Sequence, residues 1–158
     1  MQTTQKLLIA ALLVSTSLSC SVVAGYKFAT IAEQSQLASA VFVAVADGAV
    51  QKDSTASSFR NAVFYKGCGP AKLVVSGFVS SATCGVDLPA KGEKLIIFAS
   101  FANGLWSLNR IAVFAGAVPA SKKNLADLQA ATANNFRCYN NEFIYTVPAK
   151  QRDQSASA

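Results

Sequence analysis

The chain has 158 residues, of which 52% are hydrophobic and 14% are charged, and its formal net charge is +6. This length suits one domain with a single core, and so few charges exclude a disordered chain. The absence of His excludes a Ser-His-Asp triad, a Cys-His dyad and a Cys/His zinc finger. The basic residues are scattered, with one adjacent pair at Lys122-Lys123, so no nucleic-acid-binding stripe is predicted.

Residues 1–19 are predicted to be a secretory signal peptide. Lys6 precedes the apolar run Leu7–Val14, and the small and polar residues Ser15–Ser19 follow it. As a helix this run is about 12 Å long, less than half of a bilayer core of ~30 Å. No later segment approaches the roughly 18 uninterrupted apolar residues of a transmembrane helix, so we expect a secreted, extracellular protein without a membrane span.

The signal peptide has two candidate cleavage sites, before Cys20 and before Gly25. Both follow small residues at the required positions. Cleavage before Cys20 leaves four cysteines, whereas cleavage before Gly25 leaves three. An even number suits an oxidising compartment. We therefore predict that Cys20 is the first mature residue and keep Gly25 as the alternative.

The first half of the mature chain predicts one helix and two strands. Apolar and small residues recur at helical spacing over 28–38. The β-branched run 41–45 predicts a buried strand, and the polar, serine-rich stretch 47–58 predicts a loop. A second strand is predicted over 59–66, followed by a turn at Gly67–Pro70.

The second half predicts three more strands and a second helix. The strands are expected over 72–78, 94–101 and 105–114, with a hairpin turn at Asn103-Gly104 between the last two. Ser121 is expected to cap a helix over 122–134 that carries Leu125, Leu128 and Thr132 on one face.

Five or six short strands with a helix near each end predict a mainly β protein. The expected architecture is a closed or nearly closed barrel of the OB type. One domain is predicted over 20–148, and the polar residues 149–158 are predicted to be a disordered tail.

The cysteines are too far apart in sequence for a CxxC redox motif or a zinc knuckle. A disulfide framework is the default interpretation, with three possible pairings. No cofactor is predicted. The carboxylates form no recognisable catalytic pair, so the chain is not expected to be an enzyme, and Asp87 and Glu93 are assigned to turns and solvation. The four cysteines are Cys20, Cys68, Cys84 and Cys138.

The segment Ser80–Leu88 (SSATCGVDL) resembles the N-terminal inhibitory domain of tissue inhibitors of metalloproteinases. That domain has a similar small-residue segment that leads into Cys-Gly-Val. The likeness covers most of residues 20–138, including the closing Cys138, and it extends to the netrin-like module to which those inhibitors belong. Further matching segments are Val41–Ala44, Phe64–Gly67, Gly92–Ile97 and Val118–Pro119.

The resemblance implies inhibition of a zinc metalloproteinase of unknown identity. Nothing in the sequence suggests more than a monomer. The α-amine and carbonyl oxygen of the first residue, here Cys20, would chelate the catalytic zinc and displace its water. Ser21 would point into the pocket beside the zinc. The implied contact ridge consists of Cys20, Ser21, Val22, Ser81, Ala82, Thr83 and Cys84.

The same resemblance implies the disulfide Cys20–Cys84, and elimination leaves Cys68–Cys138 as the second pair, although the family has no counterpart of Cys68. The alternative pairing is Cys68–Cys84 with Cys20–Cys138. Val22 stands where the family has a second N-terminal Cys. The alternative function is a non-inhibitory netrin-like module that binds an extracellular protein or a polyanion.

Overall fold

The structure is a computed structural model that describes residues 28–52, 54–81, 84–109 and 116–133, together with two strands at 137–139 and 142–144. The predicted signal peptide 1–19, its cleavage site and the predicted tail 149–158 lie outside these residues. No helix within the described ranges is long and apolar enough to cross a membrane.

Every predicted helix and strand is present, with changed ends, and three short strands were not predicted. In chain order the elements are α1 (Ile31–Leu37), β1 (Ala40–Ala49), β2 (Ala56–Lys66), β3 (Leu73–Ser76), β4 (Lys94–Ala102), β5 (Leu105–Leu108), β6 (Ala117–Pro119), α2 (Lys122–Ala131), β7 (Arg137–Tyr139) and β8 (Glu142–Ile144).

Five strands close into a barrel in the order β1-β2-β3-β5-β4. The ring is complete because β1 pairs with β2 on one side and with β4 on the other. The contact between β3 and β5 is parallel, with Val75 opposite Trp106, while the other contacts in the ring are antiparallel. β6 is an additional strand beside β4. The prediction of a mainly β, OB-like barrel with short flanking helices is confirmed.

The strands separate two hydrophobic cores because successive residues point to opposite faces. On β1, Phe42 and Ala44 point into the barrel, while Val41 and Val43 point towards the helices. Residues of β4 also alternate between the two faces, but here the odd-numbered residues point into the barrel and the even-numbered ones contact the helix layer. The inner residues of β4 are Leu95, Ile97 and Ala99, and the outer ones are Ile96 and Phe98.

Both helices begin at a capping residue. Thr30 caps α1, where its hydroxyl accepts a hydrogen bond from Glu33 N at 3.2 Å and Glu33 Oε2 accepts one from Thr30 N at 2.7 Å. Ser121 caps α2 by accepting from Asn124 N at 3.2 Å, as predicted. Leu128 on α2 is fully buried in the outer core, which fixes the helix against the barrel.

The predicted loop over 47–58 was too long. β1 continues to Ala49 and β2 begins at Ala56, although the residues there are small and polar. The Ser57 hydroxyl donates a hydrogen bond to Gly48 O at 3.0 Å, and the Ser58 hydroxyl donates to the same oxygen at 3.3 Å. These bonds satisfy polar side chains inside the sheet, so serine is tolerated at strand positions that composition assigns to a loop.

The predicted strand over 105–114 ends early, at Leu108. Asn109 N donates to Phe98 O at 2.8 Å, and Phe98 N donates to Gly116 O at 2.8 Å. Asn109 and Gly116 therefore both bond to Phe98 of β4, and β6 follows Gly116; residues 110–115 lie outside the described ranges. The predicted end of the second helix, Asn134, was also too far along the chain, since α2 ends at Ala131.

Candidate functional site

Part of the predicted contact ridge lies in the segment 77–93, which joins β3 to β4 and which we call the connector. Two ridge residues in it are described, Ser81 and Cys84. The structure leaves the other ridge residues outside its described ranges, so their contacts with Ser81 and Cys84 stay predictions. Those outside are Cys20, Ser21, Val22, Ala82 and Thr83.

Backbone hydrogen bonds close the connector into a loop. Val79 N donates to Val86 O at 3.0 Å, which joins the two ends of the loop. One step further in, Gly85 N donates to Ser80 O at 3.2 Å. These two bonds hold residues 79 and 80 next to residues 85 and 86, so the two ends of the loop are joined by the backbone of the connector itself.

A third backbone bond lies further inside the loop. Cys84 N donates to Ser81 O at 3.1 Å, and Cys84 has a φ of 63°. A positive φ is uncommon for a residue with a side chain, so surrounding contacts must hold it. Ser81 is exposed at the surface, whereas Cys84 is half-buried.

Gly85 explains why the connector carries Cys-Gly-Val. A Cβ at Gly85 would lie 2.1 Å from Val79 Cγ2 and 2.5 Å from Val79 O. Both distances are far inside van der Waals contact, so only glycine fits this position without displacement. The next residue, Val86, packs against the barrel core and attaches the loop to it.

The Asp87 carboxylate binds the backbone of Ser81 across the loop. Its Oδ1 accepts a hydrogen bond from Ser81 N at 2.8 Å. Hydrogen bonds from the Ser81 side chain and backbone lower the pKa of the Asp87 carboxyl below its ordinary value of 3.8. Asp87 therefore serves the turn, as predicted, but sequence reasoning missed its specific partner, because no spacing rule connects residues six apart in a loop.

Glu93 also serves a turn, as predicted. Its Oε2 accepts a hydrogen bond from Ala90 N at 3.1 Å, and Glu93 N donates to Ala90 O at 3.1 Å. Gly92 N and Glu93 O bond to Ala46 O and N, both at 2.8 Å. The end of the connector is thereby tied to β1 directly before β4 begins.

Neither Cys68 nor Cys84 is a free thiol. Cys68 follows β2, and β7, which carries Cys138, lies against β2. The cysteine with which each one pairs stays a prediction, because the side chains of Cys20 and Cys138 are outside the described part of the structure.

Within the described ranges, no group of three or more His, Cys, Asp or Glu side chains is arranged to hold a metal ion. The chain matches no protein-family model, and a search of curated protein sequences finds no match either. The grounds for assigning a function are therefore the barrel, the connector loop and the resemblance of its sequence.

Proposed function

We propose that the mature chain is a secreted inhibitor of zinc metalloendopeptidases whose first residue is Cys20. The α-amine and the carbonyl oxygen of Cys20 bind the catalytic zinc of the protease in place of its water. The amine must be neutral to donate its lone pair, and an ordinary α-amino pKa of about 7.7–8.0 allows this near neutral pH.

The observation that carries the proposal is the closed connector loop on an OB-like barrel. The loop is held by the backbone bonds from Val79 and Gly85, by packing of Val86 and by the Asp87 carboxylate. Loop ends that are already held together lose little entropy when the loop binds another protein. This is the property that an inhibitory ridge needs.

In the proposed complex, the disulfide Cys20–Cys84 anchors the first residue beside the loop. Cys84 is half-buried and is not a free thiol, which supports this role. Ser21 enters the protease pocket next to the zinc, and the exposed Ser81 contacts the protease from the neighbouring side of the ridge.

The first test identifies the N-terminus by intact-mass measurement of the secreted protein under non-reducing and reducing conditions. The proposal requires a chain that begins at Cys20. Its mass should increase by about 4 Da on reduction, because two disulfides take up four hydrogen atoms. A chain that begins at Gly25 has no Cys20 and contradicts the proposal.

The second test compares the native protein with a form that carries one additional alanine before Cys20. Chelation requires the terminal amine and carbonyl at one residue, so the additional residue should abolish inhibition of a metalloproteinase panel. The matched control has one additional alanine after Ala158 and should inhibit like the native protein. Equal inhibition by all three forms would reject chelation by Cys20.

The same assay distinguishes the alternative function. A non-inhibitory netrin-like module would leave the whole panel active. If it binds polyanions, it would also be retained on a sulfated polysaccharide in a salt-sensitive manner. That combination of results would replace the inhibitor proposal.

A further inference from the structure

The β4–β5 hairpin lies at the end of the barrel that is opposite to the connector. β4 starts directly after the connector, at Lys94, and ends at Ala102. Nine residues of strand span about 30 Å. The turn at Asn103-Gly104 is therefore separated from the connector loop by the length of the barrel.

Large apolar side chains are exposed on both sides of this turn. Phe101 is 53% exposed and Leu105 is 69% exposed. Phe101 pairs with Trp106 and Ala102 pairs with Leu105. Adjacent pairs of a hairpin point to opposite faces, so Phe101 and Leu105 project from opposite sides of the tip.

A third exposed apolar residue, Val74, extends the surface beside Leu105. Val75 lies opposite Trp106 in the parallel pairing, and both of these side chains face the barrel core. The preceding residues, Val74 and Leu105, are therefore neighbours on the outer face. Val74 is 46% exposed.

The hairpin is rigid because aromatic rings support it from within. The ring centroids of Phe101 and Trp106 are 4.6 Å apart, those of Trp106 and Phe64 are 5.9 Å apart, and those of Phe64 and Phe42 are 4.8 Å apart. This row of rings runs from the exposed Phe101 to the fully buried Phe42. We call these four residues the aromatic row.

The turn itself is also fixed. Asn103 and Gly104 have φ values of 52° and 78°, which are the two positive values of a type I′ turn. Such a turn matches the twist of the flanking strands and keeps the tip narrow. The tip thus presents its apolar side chains in a fixed arrangement.

Few charged residues lie at this end of the barrel. The β7–β8 hairpin, which lies against β2, carries Arg137 and Glu142, whereas the segments 37–41, 64–74 and 100–107 contain no Asp or Glu. Lys66 and Lys72 are the charged residues of these segments. The Lys66 amine donates to Ser35 O at 2.8 Å and to Gln36 O at 3.0 Å, whereas Lys72 is exposed directly before β3.

We propose that this end of the barrel binds the surface of a membrane that contains anionic lipids. Phe101 and Leu105 enter the interface between headgroups and acyl chains, and Lys72 contacts the acidic headgroups. A protein partner would dock on one face of the hairpin, whereas apolar side chains on both faces of a narrow tip fit a medium that surrounds the tip. The chain has 14 basic and 8 acidic residues, and its exposed Lys72 lies at this end, which favours an anionic surface over a neutral one.

The test measures binding of the full mature protein to vesicles. Vesicles of phosphatidylcholine with phosphatidylserine should bind the protein, and vesicles of phosphatidylcholine alone should bind it less. Leu105→Ser should weaken binding by about ten-fold, because one leucine is withdrawn from the interface. Val50→Ser is the matched control, since Val50 is 46% exposed but lies beyond β1 at the connector end.

A charge reversal tests the electrostatic part. Lys72→Glu should weaken binding to the anionic vesicles by at least about five-fold. Lys52→Glu, in the exposed segment between β1 and β2 at the connector end, is the control and should have a smaller effect. Both substitutions are at exposed positions, so the variants should fold like the native protein, which circular dichroism verifies.

The single tryptophan reports directly on this end of the barrel. Because Trp106 lies beneath Phe101, its fluorescence should shift to shorter wavelength when the anionic vesicles are added. Absence of binding, or equal binding by the native protein and Leu105→Ser, would overturn the proposal. Concentration-dependent self-association in sedimentation velocity that Leu105→Ser abolishes, without vesicle binding, would show a protein interface and would also overturn it.

Discussion

The two ends of the barrel expose different kinds of surface. At the connector end, the loop 79–87 is closed by backbone hydrogen bonds and by a carboxylate. At the hairpin end, the tip is supported by the aromatic row and carries exposed apolar side chains. Polar bonds hold the ends of the loop on which the inhibitor proposal depends, whereas ring packing supports the apolar tip on which the membrane proposal depends.

At each end, a glycine without room for a side chain packs against its neighbours. A Cβ at Gly85 would meet both the side chain and the backbone of Val79. A Cβ at Gly69 would meet the rings of Phe64 and Trp106 at 2.3 Å and 2.9 Å. Replacing each glycine by alanine is therefore a way to perturb one end at a time.

The largest effect is expected for Gly85→Ala. The new methyl group must displace the backbone of Val79, so the variant should lose about 1–3 kcal/mol of unfolding free energy. It should also lose most of its metalloproteinase inhibition, because the loop moves. Denaturant unfolding and inhibition assays measure the two effects. Full inhibition by Gly85→Ala would show that the loop conformation is not required.

A smaller loss of about 1–2 kcal/mol is expected for Gly69→Ala, because aromatic rings can tilt where a backbone cannot. Its Trp106 fluorescence should change, since the methyl group contacts that ring. Inhibition should stay at the native level, because the connector is at the other end. A variant that keeps native fluorescence and stability would contradict the close packing of Gly69 on the rings.

The smallest effect concerns the ionisation of Asp87. Hydrogen bonds from Ser81 lower the pKa of this carboxyl in the folded state. The bond therefore stabilises the loop above the ordinary pKa, and this contribution is lost as the pH falls through the lowered folded-state value. At the same pH, above the ordinary pKa of the carboxyl, the backbone amide of Ser81 should exchange its hydrogen faster in Asp87→Ala than in the native protein. Equal protection in the two proteins would remove Asp87 from the loop's support.

Local sequence signals predicted most of the elements of the fold. The β-branched run 41–45 lies in a strand, and Ser121 caps a helix as its position suggested. The barrel class followed from the number and spacing of such strands. These features depend on residues that are close together in the sequence, which is why they could be recognised.

The missed features depend on partners that are distant in sequence. β6 begins next to a hydrogen bond that Phe98 N donates to Gly116 O. The ends of β1 and β2 are joined by bonds that Gly48 O accepts from two serine hydroxyls. The bond between Asp87 and Ser81 likewise has no sequence signature. In the candidate site, the sequence located the connector, and the structure supplied the contacts that close it.

The central claim is that the terminal amine and carbonyl of Cys20 bind a protease zinc. The most direct measurement uses a metalloproteinase in which cobalt replaces the zinc, because the visible spectrum of cobalt depends on its ligands. The native protein should change that spectrum as it inhibits, and the form with an additional alanine before Cys20 should not. Inhibition by the native protein with an unchanged cobalt spectrum would contradict the claim.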